Sequence, residues 1–459
     1  MLRQFSGRCR RAWRLGALLA LTAAIPAHAM TGETRPDSSD TPDSLAAALG
    51  ASRWSGFAKL MTIADDKKGG RPDQSTLGVG GRLGVATGVW HGWQLQAAAY
   101  TTQDLGTRHA DPRRTDAYLF DLDKRPYTLL GEAQLKWQQG AYALTLGRQE
   151  FFSPIINSYE YRIIPNLFEA ATLQWRPDSS TTATLAYVDK MSGLDGLVTY
   201  SHFRSMAQQT YTSLKVDDSL RLDARNGDTL DPSRAVGHHG VWVAGFERGS
   251  QDQLRLWLYH GIDSLDTLYA EGRRQWPLTA TLGLKLEGQY YRVGASGGFR
   301  HYLARQGLNA SYDLSGIKAS LSHAPSGVTV GLAMNRYGGN DRTVTAYGNW
   351  GGYPEFVVIP YLFAEGDSAS AIARSRLAKL TTTLDLAPYG LPQQALILGH
   401  ARINLDPAIL ANSDITVNSL IYRAKLNERL STRVMLESRN SGNSRYNNEY
   451  ATFWLRYDF

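Results

Sequence analysis

Ala451-Thr452-Phe453-Trp454-Leu455-Arg456-Tyr457-Asp458-Phe459 closes the sequence, and its polarity decides the fold. Residues 451, 453, 455, 457 and 459 are apolar, whereas Thr452, Arg456 and Asp458 are polar, with Trp454 the one exception. A period of two places these sets on opposite faces of a strand. One face suits lipid and the other suits water.

The opposite end of the sequence bears on compartment. Arg3, Arg8, Arg10, Arg11 and Arg14 form a charged region, Leu15 to Ile25 an apolar one, and Ala27-His28-Ala29 a small-residue site. This order predicts a secretory signal peptide over residues 1–29, because the apolar run falls short of the roughly 18 residues that a spanning helix needs. The chain has 49 Lys and Arg against 42 Asp and Glu; five arginines and no acid lie in the signal, which leaves 44 against 42, a balance of +2. The basic isoelectric point therefore does not indicate nucleic acid. Cys9 also lies in the signal, so residues 30–459 can form neither a disulfide nor a thiolate metal site.

No composition break or Pro/Ser linker divides the remainder, and none of its apolar runs is long enough for a transmembrane helix. A membrane protein of this kind must be a closed barrel, the other architecture that satisfies its backbone hydrogen bonds in lipid. Segments of about ten residues with alternating polarity begin at Trp54. In the second, Leu77, Val79, Leu83 and Val85 oppose Gly78, Gly80, Arg82 and Gly84. In the fourth, Leu129, Ala133, Leu135 and Trp137 oppose Thr128, Glu132, Gln134 and Lys136.

The connections alternate long and short. Long ones fall at 64–76, 103–126, 149–168, 190–239, 261–266, 293–304, 337–375, 404–415 and 439–449, with eight short ones between them. Nine long and eight short connections join eighteen strands, with both termini on the short-turn side, as in outer-membrane barrels. Trp54, Trp90, Trp93, Trp137, Trp175 and Trp276 all sit beside the first strand's start or a short turn, where an interfacial girdle belongs. The expected fold is an all-β transmembrane antiparallel barrel over residues 53–459. Residues 30–52 form a periplasmic leader, either mobile or a short helix around Leu45-Ala46-Ala47-Ala48-Leu49. The boundaries over 305–323 stay open between one strand with a bulge at Ser315-Gly316 and two strands.

The third long connection, from Arg148 to Glu169, is too apolar for a solvated tip: Phe151, Phe152, Ile155, Ile156, Ile163, Ile164, Leu167 and Phe168 need cover. Folding back into the lumen would provide it and would present Glu150, Glu160 and Arg162 to a constriction.

This stretch resembles the OprD family of bacterial substrate-selective porins. Gly147-Arg148, Ser153-Pro154, and Arg162 running through Pro165-Asn166 to Phe168 are similar to that family's strand end and inward loop. Trp350-Gly351-Gly352-Tyr353-Pro354-Glu355, followed by Gly366-Asp367, looks like the family's seventh loop. The terminal strand likewise resembles the one that barrel-insertion machinery recognises. The resemblance implies an eighteen-stranded porin in the cell outer membrane, passing small amino acids or organic carboxylates past a ladder of basic residues. Alternation would supply that ladder with Lys379, Arg402, Arg423, Lys425 and Arg433 on strands fourteen to seventeen, and Lys59 and Arg82 on strands one and two. Equally, each could be ordinary polar lining paired with an acid such as Glu437, Asp385 or Glu132.

Enzyme motifs are weak. Gly294-Ala295-Ser296-Gly297-Gly298 fits G-x-S-x-G, but the reading places it in a loop with no helix after it, not in a nucleophile elbow. His238-His239 lacks a third metal ligand at sensible spacing. No cofactor is implied. The expected partners are permeant solutes, outer-membrane lipid and lipopolysaccharide, and the insertion machinery, with monomer and homotrimer both open. A polysaccharide export channel of the alginate type, a membrane-embedded hydrolase and a structural or adhesive barrel remain as alternatives.

Overall fold

A computed structural model describes residues 42–116, 118–158, 162–195, 198–210, 214–215, 232–346, 350–357 and 373–459. The signal segment, Glu160 and Gly366-Asp367 lie outside the described residues. Eighteen strands form the wall: β1 (Arg53–Lys67), β2 (Gln74–Ala86), β3 (Trp93–Gln103), β4 (Tyr127–Gln139), β5 (Tyr142–Gln149), β6 (Leu167–Trp175), β7 (Thr181–Asp195), β8 (Val241–Arg248) and β9 (Gln253–Gly261) in the first half. The second half comprises β10 (Leu265–Pro277), β11 (Leu282–Ala295), β12 (Tyr312–His323), β13 (Val328–Tyr337), β14 (Arg376–Asp385), β15 (Gln394–Asn404), β16 (Ile415–Lys425), β17 (Leu430–Ser441) and β18 (Asn448–Asp458). Each pairs antiparallel with its sequence neighbours, and β1 pairs with both β2 and β18, which closes the ring. A nineteenth strand, Val198–Ser205, hydrogen-bonds to the far end of β7 and stands outside the ring.

Closure leaves the eighteen-stranded wall without a free strand edge in lipid. Along β1, residues 57, 59, 61, 63, 65 and 67 are buried towards the lumen while their neighbours are not. The registers carry that parity around the wall. Leu83, Leu146, Leu185, Leu258, Leu332 and Leu398 consequently face outward and stay exposed. Phe453 and Leu455 share the outer face with Thr62 and Leu60, whereas Trp454 points in, where Lys59 Nζ lies 4.8 Å from its ring centroid. The exception in the terminal strand is thus a lumen residue.

Trp54, Trp93, Trp137, Trp175 and Trp276 point outward at the short-turn end, with the Trp93 and Trp137 rings 6.1 Å apart. There α1 (Leu45–Gly50), capped by the Ser44 side chain, packs against the first turn through Gly88 N–H donating to Ala48 O.

Three expectations about the wall change. A bulge beside Ala98 and Ala99 inserts Gly131 into β4, so Leu129 opposes inward Tyr100 while Thr128 faces out and bonds Thr101. The fifth outer connection is only three residues, 262–264, between β9 and β10. The open stretch at 305–323 resolves as α4 (Gly297–Arg305), a loop, and one strand whose register through Ser315-Gly316 is unbroken. In chain order, α2 is Met206–Thr210 and α3 is Ser233–Val236.

A candidate constriction and its charged walls

The buried apolar mass sits inside the ring, and connecting segments supply much of it. The segment between β5 and β6 folds inward, where Ile156, Ile163 and Leu167 are buried beside Phe151 and Phe168. It can approach because the facing stripe of β2 lacks side chains: a Cβ on Gly78 or Gly80 would lie 2.8 or 2.9 Å from Ile163. Lys59 Nζ donates to Arg162 O at 2.7 Å, and the Arg162 guanidinium donates to Asn166 Oδ1 at 2.8 Å. Asn166 Oδ1 also accepts from Leu194 N–H at 2.8 Å.

The segment between β13 and β14 completes a plate with it. Ile156 bridges to Gly351, and Asn157 N–H donates to Trp350 O at 3.2 Å. Gly351 has φ +82°, and a Cβ there would fall 2.0 Å from Asn166 Nδ2, so only glycine fits without displacing its neighbour. The next residues latch onto the wall: Gln289 Nε2 donates to Pro354 O at 2.7 Å, and Val357 N–H donates to Asn335 Oδ1 at 2.6 Å. Glu355 Oε1 accepts from the hydroxyls of Tyr291 at 2.7 Å and Tyr337 at 3.1 Å. Burial pushes the Glu355 carboxyl above its ordinary range, partly offset by these two hydroxyls.

A third inward segment lies between β3 and β4. Tyr118, Leu119 and Phe120 are buried; Leu119 O accepts from Thr102 Oγ1, and Leu119 meets the same Gly78 that admits Ile163. Burial raises Asp116 to about 6, while Tyr118 N–H donating to it at 2.7 Å works the other way. The sequence reading did not single this segment out, although Tyr118-Leu119-Phe120 is an apolar run in a long connection, the signal that flagged the 149–168 stretch.

The structure disperses the residues expected at the constriction. Glu150 is exposed and within electrostatic reach of lumen-facing Lys136. Arg162 is buried inside the plate, where desolvation lowers its affinity for a proton, so it holds the loop instead of lining the pore. Glu355 is a buried latch. Arg148 belongs to the outer face: it pairs with Glu169 at 2.9 Å and stacks on Phe203, with Lys190 completing the cluster at 2.8 Å.

The basic wall also divides. Arg402 opposes outward Ala378 and points away from the lumen, because Lys379 and Ala401 hold the inward positions beside it. Arg82 faces inward but lies on Glu132, at 2.7 and 3.2 Å, with Tyr100 and Gln96 donating to the same carboxylate. Lys59 is committed to the plate. Lys379 faces the lumen beside Ala333 and Ala401. Lys425 lies 3.5 Å from Glu428, both partly exposed.

Arg423 and Arg433 differ from all of these. They are direct cross-strand partners, both face inward near the short-turn mouth, and neither has an ion pair among the described residues. Arg433 Nε has no hydrogen-bond partner there. Arg456 reaches the same mouth, stacked 3.9 Å over the Phe57 ring and paired with Asp458 at 2.7 Å. Elsewhere the inward charges alternate in sign: Glu247, Arg255 and Glu271 form one chain, and Glu287 is held between Lys285 and Lys318.

The G-x-S-x-G stretch needs correction, since α4 does follow it with Ser296 at the N-cap. The hydroxyl is nevertheless occupied, donating to Gly261 O at 2.6 Å and accepting from Ser264 N–H at 3.2 Å. His239 lies 3.7 Å from Asp263, and among the described residues no group of three metal-ligating side chains occurs.

Comparison with solved structures gives one architecture. Pseudomonas aeruginosa OccK9 (OpdG) is similar with a TM-score of 0.69 at 15% identity, covering 90% of this chain and 99% of its own. Acinetobacter baumannii OccAB1 gives 0.68 at 12%, covering 90% and 97%. Pseudomonas aeruginosa OpdK, solved with vanillate, gives 0.66 at 13%, covering 90% and 99%. No family model and no curated protein matches the sequence. The shared fold is the eighteen-stranded barrel.

Proposed function

We propose that this chain is an OprD-type porin of the outer membrane, passing small hydrophilic solutes passively and favouring those that carry a carboxylate. The observation that carries the reading is the Arg423–Arg433 pair. Like charges placed directly across a ladder are destabilising, so two guanidinium groups facing each other in the lumen without an acid form a site suited to a transient anion. The wall around them has low dielectric and concentrates their field on whatever passes the plate. The neighbouring OpdK structure holds vanillate, itself a carboxylate, which supports this solute class.

The signal segment and the terminal strand are assigned to export and to the insertion machinery. Polysaccharide export calls for a wider arginine path than one cross-strand pair, and a polymer would have to displace the plate.

Planar-bilayer recording tests the proposal. Open-channel conductance with a reversal potential favouring chloride over potassium is expected, together with liposome swelling in small carboxylates. Correctly inserted protein that passes no solute would overturn it; block by uronic acid oligomers would favour the polymer reading.

A further inference from the structure

The outer wall carries a second set of opposed arginines. Asn335 on β13 faces the lumen, where it bonds Gln289 and receives Val357 N–H, so its neighbours Met334 and Arg336 point outward. Arg336 is the direct partner of Arg376 on β14; Arg376 opposes Asn404 on β15, and Ala378, two residues on, opposes Arg402. Partners directly opposite place their Cβ atoms roughly 5 Å apart, and like charges there repel. All three arginines are exposed, and none has an ion pair among the described residues. Arg402 Nε donates only to Asn404 Oδ1 at 2.9 Å. Of the acids nearby, Asp406 is taken by Arg374 at 2.7 Å, Asp313 opposes Arg292, and Asp414, beside the Ile415 that opposes Ile403, accepts from Leu405 N–H at 2.9 Å.

Two of these arginines form the rim of a groove. Arg336, Arg376 and Asn404 stand above Ile317, Met334 and Ala378 around an open volume of about 420 Å³. Ile317 is 60% exposed on this face, and Leu332 and Leu380 continue the apolar surface towards the short-turn end. The cationic rim sits at the long-loop end, which the outer-membrane reading above, on which this inference rests, directs to the outer leaflet. An apolar floor rimmed by the Arg336 and Arg376 guanidinium groups, with Arg402 beside it bonded to the rim residue Asn404, is complementary to a phosphorylated, acylated lipid of that leaflet. Bidentate guanidinium contacts suit phosphate, and the floor suits an acyl chain.

We propose that the outer face of β12 to β15 is a binding site for lipopolysaccharide, with Arg336, Arg376 and Arg402 holding a phosphate of its lipid A and Ile317, Met334 and Ala378 seating an acyl chain.

The test compares wild-type protein with R336Q/R376Q/R402Q, both extracted from outer membranes in mild detergent, by counting lipopolysaccharide retained per barrel with native mass spectrometry. A drop of more than about tenfold is expected, since the loss of a single charge-assisted contact is already on that scale. R376Q alone should give an intermediate loss. R148Q/K190Q, which removes outward cations already paired with Glu169, should retain wild-type levels. In nanodiscs the wild type should take up bisphosphorylated lipid A and discriminate against the dephosphorylated form. Equal retention by wild type and the triple variant, indifference to the phosphates, or equal uptake of phosphatidylglycerol would overturn the site. Bilayer conductance is read in parallel: it should be unchanged in the triple variant, and its absence from the wild type would count against the porin reading while leaving the lipid count to decide this one.

Discussion

Arg82 and Arg423 are both lumen-facing arginines near the short-turn end of their strands, yet they sit in opposite settings. Arg82 has 15% of its side chain exposed and is clasped by Glu132, which also gathers Tyr100 and Gln96. Arg423 is exposed and meets another arginine. The first arrangement is a satisfied network that ties β2, β3 and β4 together; the second leaves charge unspent where a solute can reach it. A cation on the wet face of a barrel is therefore informative about transport only once its partner is known.

That contrast can be broken most severely from the Glu132 side. Glu132→Gln leaves the Arg82 charge without its counterion, and removing one partner of a buried pair costs about 3 kcal/mol or more. The urea midpoint of the folded barrel should fall clearly, whereas Arg423→Gln should hold or slightly raise it. A smaller loss, about 1–3 kcal/mol, is expected from Gly351→Val, which forces a β-branched side chain into a left-handed backbone and against Asn166. Its readout is a larger and noisier single-channel conductance as the plate loosens.

Arg423→Gln with Arg433→Gln should lower the chloride-to-potassium permeability ratio by about fivefold, the Boltzmann factor for roughly 1 kcal/mol between charges a few ångströms apart in water. Arg82→Gln should change the ratio less, since its charge is already neutralised. The smallest effect concerns pH. A carboxyl whose affinity for protons rises on folding contributes stability at low pH and loses it as pH climbs through the raised value. Glu355 should therefore latch its segment most firmly in acid, with conductance increasing modestly as pH rises above the ordinary carboxylate range. Glu355→Gln should flatten that dependence.

The architecture was legible because a two-residue period and alternating connection lengths are properties of the chain itself. Strand number followed from them, closure from the need to pair every backbone group in lipid, and the inward path of 149–168 from its apolar content. What escaped depends on neighbours that no local window contains. One extra residue at Gly131 reverses the faces of Thr128 and Leu129, and Arg148 and Arg402 lie at strand ends, where parity is hardest to carry. Arg162 looked like a pore-lining charge because nothing in its segment reveals that Thr199 and Lys59 would close over it. That Glu132 could neutralise a lumen cation was legible, but which cation it takes is decided by which strands become adjacent: it reaches Arg82 across the intervening strand β3.

The seam between β1 and β18 imposes an order of events. Asn448 Nδ2 donates to Asp65 Oδ1 across 383 positions of sequence, and the ladder from Phe57↔Asp458 to Lys67↔Asn448 exists only when the last strand has been delivered. Until then the first strand presents a bare row of amides and carbonyls that any passing strand could join. Such distant pairing makes assembly slow, and deletion of the final strand should produce aggregates instead of a smaller barrel.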